Sequence, residues 1–121
     1  MKLKDLPEEE RPREKLLAHG ADSLSAVELL AVLLRTGRKG EDVLEFSASI
    51  LNDWGGLEGL CRAGARELMT EKGLSSSKAA TVAAVIELGN RIASLEGKDR
   101  DRWQTRLEMI AKEVRFCDRE M

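Results

Sequence analysis

The residues best suited to chemistry in this chain are Gly73-Leu74-Ser75-Ser76-Ser77-Lys78. A glycine ends one helical stretch, small hydroxyl residues open the next, and a lysine falls in its first turn. The first amide groups of a helix lack internal partners and carry the positive end of its dipole, so such a junction can hold a phosphate oxygen. Gly73 lets backbone come close to a ligand, Ser75 can cap the second helix, and Ser76, Ser77 and Lys78 add hydroxyls and charge. A second basic group, Arg35, Arg38 and Lys39 in the run RTGRKG, stands at another helix junction. If it lies beside the first, the two together make a phosphate track. Glu71 opposes it, placing a negative charge near the anion site at a cost on the order of 1 kcal/mol or less.

Other chemistry is poorly supplied. Three consecutive serines suggest a nucleophile, but no general base stands beside them, and helix capping accounts for them. His19, the single histidine, falls in the last turn of a predicted helix, where the dipole favours its charged form. Cys61 and Cys117 are too few and too far apart for a disulfide framework or a zinc site, and Cys61 reads as a small core residue. The expectation is a non-enzymatic protein with no catalytic residue, no metal, no cofactor and no small-molecule substrate.

At 121 residues the chain suits one domain. Apolar residues make up 42%, mostly Leu and Ala, and aromatics only 3%, which favours packed helices over sheets. The formal net charge of −2 excludes the strongly basic profile of a protein that lives permanently on nucleic acid. Any DNA contact must therefore be local, weak and salt-sensitive. No apolar run approaches a membrane span and no signal-peptide core opens the chain, so a soluble cytoplasmic protein is expected.

The elements that position the corner follow from caps and periodicity. Pro12 and Gly20 bound a short helix in RPREKLLAHG. Ser25 and Glu28 form a capping box, flanked by Leu24 and Leu29 as a hydrophobic staple. Leu29, Leu30, Leu33 and Leu34 then offer an apolar face, and Thr36-Gly37 ends the helix. The next helix runs from about Glu41 to Asp53, with Val43, Ser47, Ile50, Leu51 and Trp54 at helical spacing. LEGLCRAG reads as one turn that buries Leu57 and Leu60. A short helix, the corner and a long helix follow, the last with Ala79, Val82, Ala83, Ile86 and Gly89 on one stripe. No strand pattern precedes residue 97. Beyond it, residues 98–121 are charge-dense, with Leu107, Ile110, Ala111 and Val114 as a narrow apolar stripe. The reading is all-α: a small multi-helix bundle, residues 1–97, with an αα corner, then a charged helix or linker over 98–121.

Taken together, RPREKLLAHG, LSAVELLAVLLRTG, GGLEGL and KGLSSSKAATVAAVIELGNRI resemble the N-terminal domain of RadC-like proteins, the UPF0758 family, over roughly residues 3–93. The resemblance implies a bacterial protein connected with DNA repair and a helix-hairpin-helix over about residues 64–92. Such a motif positions DNA by its backbone without reading sequence. Gly73, Leu74, Lys78 and Ala79 fit that pattern, while Ser75 replaces a glycine and Glu71 an apolar residue. In the family this region precedes a JAB/MPN-type domain with a His-x-His-Pro zinc core, and no such motif occurs here. The tail thus resembles a linker toward that domain or the end of a short homologue.

Two functions remain open at this point. One is a DNA-binding accessory module using Gly73, Ser75, Ser76, Ser77, Lys78, Arg35, Arg38 and Lys39. The other is a protein-interaction or dimerisation domain with a purely structural corner, self-associating through residues 98–121 or through surfaces around Trp54 and Trp103.

Overall fold

The computed structural model describes residues 2–95 and 106–111. Every regular element among them is helical, and the one β-type pairing recorded is an isolated bridge between Arg38 and Glu41. The chain divides into two compact units, residues 1–85 and 86–121. The boundary read from the sequence at Gly97, and with it Trp103 and Val114, lies outside the described residues.

The first unit opens with two single 3-10 turns, Leu3–Asp5 and Glu8–Glu10. Helix α1, Pro12–His19, starts at its proline and stops at Gly20, whose φ of 93° suits a residue without Cβ. Helix α2, Ala26–Leu34, is fixed by the Ser25–Glu28 capping box: the Glu28 amide donates to Ser25 Oγ at 3.2 Å, and the Ser25 amide donates to Glu28 Oε1 at 3.0 Å. Helix α3, Val43–Asp53, carries a second box built by Asp42 and Glu45. Two short helices follow, α4 at Gly56–Leu60 and α5 at Ala65–Leu68. Helix α6, Ser76–Ala93, is the longest described and continues from the first unit into the second.

The core sits between α2 and α3. Leu30, Ala31 and Leu34 from α2 meet Val43, Leu44, Phe46, Ile50 and Leu51 from α3. Leu60, Leu68, Leu74, Ala79 and Val82, carried by the segment from α4 to α6, are also buried. Ser47 is fully buried yet satisfied, donating to the Val43 carbonyl at 2.7 Å.

Four sequence expectations change. Leu29 is 39% exposed, because the buried stripe of α2 is centred on Leu30, Ala31 and Leu34, one step round the helix. Leu57 is 61% exposed, and only Leu60 of its turn is buried. Cys61 is exposed, its thiol donating to the Glu58 carbonyl. Helix α2 also ends earlier than Thr36-Gly37. Its cap is Arg35 at φ 68°, ψ −45°, and the Thr36 amide bonds the Leu34 carbonyl at 2.8 Å. That geometry is close to a classic γ-turn, a strained conformation for a residue with a side chain.

In the second unit, residues 106–111 are helical, and Leu107, Met109 and Ile110 are exposed. The C-terminal half of α6 carries Leu88 and Ile92, 60% and 59% exposed. The stripe read over Ala79–Gly89 is therefore buried at Ala79 and Val82, half-buried at Ala83 and Ile86, and open at Gly89.

Candidate nucleic-acid interface

The corner between α5 and α6 lies against the α2–α3 loop, which brings Arg38 to Lys72 and Lys78 to Thr36. Two side chains make that junction. Arg38 Nη1 donates to the Lys72 carbonyl at 2.7 Å. From the other side, Lys78 Nζ donates to the Thr36 carbonyl and hydroxyl, each at 2.7 Å. Phe46, fully buried, forms the platform below them. The Arg38 guanidinium stands 4.6 Å and the Lys78 ammonium 5.6 Å from its ring centroid.

Glycines make this approach possible. Gly73 has φ 90°, and a Cβ there would stand 2.6 Å from Arg38 Cβ, so the absent side chain is filled by the arginine stem. At Gly37 a Cβ would fall 2.2 Å from the Glu41 carbonyl oxygen. The Arg38–Glu41 pairing, with both backbone bonds at 2.9 Å, makes a tight turn that carries Lys39 at its exposed tip.

The carboxylates here face inward. Glu41 bonds Arg38 Nε and accepts from Ser49 Oγ at 2.6 Å; the hydroxyl first, then the guanidinium, hold it below its ordinary value. Glu71 does not project toward the start of α6 as a free negative charge. Its side chain is 13% exposed, and Oε1 is buried 3.6 Å from Arg38 Nη1, beyond hydrogen-bond reach. Burial, then a hydrogen bond with Asp53 and the Asp53 charge, raise the Glu71 carboxyl, while Arg38 pulls it down.

Ser75 caps α6, its hydroxyl accepting from the Lys78 amide at 3.2 Å. Ser76 and Ser77 are exposed, and among the described residues no acceptor is recorded for their amide groups. Gly73 is packed against Arg38. Arg38 and Lys78 are both half-buried and bonded within the protein, so neither is an unengaged cation. Lys39 is exposed with no ion pair among the described residues, and so is Lys72, which was not among the site residues read from the sequence. Arg35 is exposed and lines a different cleft, between α1 and α2. The junction thus offers an anion the exposed amides of Ser76 and Ser77, with exposed Lys72 on the corner before them and exposed Lys39 on the α2–α3 loop.

Among the described residues no group of three His, Cys, Asp or Glu side chains could hold a metal ion, and no helix is long and apolar enough to cross a membrane.

No solved structure matches the chain. A domain described as UPF0758 N-terminal matches residues 3–80. A UPF0758 protein of Desulfitobacterium hafniense is 47% identical over 98% of this chain and 54% of its own length. One from Bacillus licheniformis is 55% identical over 83% of this chain and 45% of its own. One from Desulforudis audaxviator is 42% identical over 98% of this chain and 53% of its own. The chain therefore spans about half the length of the curated relatives it matches. With the family domain covering both helix junctions, from the first 3-10 turn to the start of α6, the chain belongs to the UPF0758 family.

Proposed function

We propose that this chain is a non-enzymatic DNA-binding module of a RadC-like bacterial protein, holding duplex or branched DNA by its phosphate backbone without sequence specificity. The observation that carries the reading is the open start of α6: Ser76 and Ser77 expose hydroxyls and unpartnered amides at the positive end of an 18-residue helix. Glu71, the nearest obstacle in the sequence, is turned toward Arg38. Lys39 and Lys72 supply the accessible charge, and Arg38 and Lys78 hold the two junctions together. In longer relatives such a module would present DNA to the neighbouring domain. With few free cations the binding is weak and falls steeply with salt. Fluorescence anisotropy of a labelled duplex tests this. Saturable binding that weakens with salt and in the Lys39→Ala/Lys72→Ala variant supports it, and no binding at low salt ends it.

A second reading, self-association of the second unit, is favoured by the exposed Leu88 and Ile92 on α6 and by Leu107 and Ile110. Light scattering on the full chain separates it from the first: a monomer at all concentrations excludes it.

A further inference from the structure

We propose that the cleft between α1 and α2 docks an acidic, apolar-faced segment of a protein partner. The cleft is half open to solvent and has a volume of about 760 Å³. Its floor is apolar, from Ala31, Val32 and Val43, and Leu17 stands on its wall 73% exposed. Three arginines rim it, Arg11, Arg13 and Arg35, against one carboxylate, Glu14.

None of the three arginines has a recorded ion-pair partner among the described residues, although the chain holds more acidic than basic groups. Arg11 Nε is buried with no hydrogen-bond acceptor within the protein, an arrangement that costs stability. Arg11 and Arg13 sit at the N-terminal end of α1, where the dipole opposes a cation and favours an incoming carboxylate. Arg35 is carried to the rim by the strained backbone that ends α2.

The charge pattern selects the occupant. Carboxylates satisfy the guanidiniums in fork geometry, and apolar side chains between them cover Leu17 and Val32. A nucleic-acid backbone matches the arginines but leaves the apolar floor unused. This surface is separate from the start of α6, so it stands whether or not that site binds DNA.

The test is selection of a random linear peptide library on the full chain, followed by synthesis of the enriched peptide. The expected consensus places Asp or Glu beside apolar residues. The peptide should shift the methyl resonances of Leu17, Val32 and Val43. Arg13→Glu/Arg35→Glu should weaken it by about tenfold or more, and Leu17→Ser should weaken it also. Because Arg13, Arg35 and Leu17 are exposed, circular dichroism should show these variants folded. No enrichment, a consensus without acidic residues, binding that survives the charge reversal, or a DNA duplex that moves the same methyls would each overturn the proposal.

Discussion

Lys78 Nζ donates 2.7 Å hydrogen bonds to both the carbonyl and the hydroxyl of Thr36, tying the first turn of α6 to the α2–α3 loop. A residue that looks like a phosphate-binding lysine in the sequence therefore serves as a strut. Its removal changes the fold's stability before it changes any ligand contact.

Replacing Lys78 by Met keeps the apolar stem and removes the strut. The expected loss is about 1–2 kcal/mol, since bonds to a charged donor are worth more than neutral ones. Lys72→Ala, at an exposed side chain, should stay within about 0.5 kcal/mol of the parent and weaken DNA binding instead. Urea unfolding and anisotropy on the two variants check the division of labour.

Gly73 is exposed, so its replacement looks harmless from accessibility alone. Its φ of 90° and the 2.6 Å approach of a Cβ to the Arg38 stem say otherwise. Gly73→Ala should cost roughly 1–3 kcal/mol through backbone strain and displacement of Arg38. Thermal unfolding measures it.

Phe46 supports both cations and is fully buried. Phe46→Ala should cost about 3–5 kcal/mol from the lost side chain and the cavity beneath the junction. Denaturant titration would show it, and a loss typical of a surface site would place the platform elsewhere.

Glu71 provides a pH signature. Burial and the Asp53 carboxyl raise it, so its contribution to stability is present below its unfolded value and is lost as pH rises through the folded one. Glu71→Gln should therefore raise the thermal midpoint at about pH 7 and change it little at about pH 4. Glu28 behaves in the opposite sense. The Ser25 amide first, then Lys15, hold it low against burial, so its contribution is present at neutral pH and lost as pH falls. Paired thermal scans of Glu71→Gln and Glu28→Gln distinguish the two signs.

Local chemistry was legible in the sequence. Pro12 with Gly20 and Ser25 with Glu28 each encode a helix end within a few residues, and each stands where the spacing placed it. The all-helical class followed in the same way from apolar periodicity. What the spacing could not show was contact across 34 to 42 positions of chain, the separations that join Arg38 to Lys72 and Lys78 to Thr36. Those contacts decide which cations are free. The γ-turn at Arg35 was hidden too, because a left-handed arginine carries no compositional signal. Leu29 and Leu57 came out exposed because a wide apolar face does not reveal which of its edges finds a partner.

On the proposed reading, the first amides of α6 receive a phosphate. Ser76 is the first residue of that helix, a position where proline is tolerated but has no N–H to donate. The direct measurement is duplex DNA affinity of Ser76→Pro at low salt, alongside its thermal midpoint. The expected result is an unchanged midpoint and an affinity several-fold weaker. An unchanged affinity in a folded Ser76→Pro protein would contradict it.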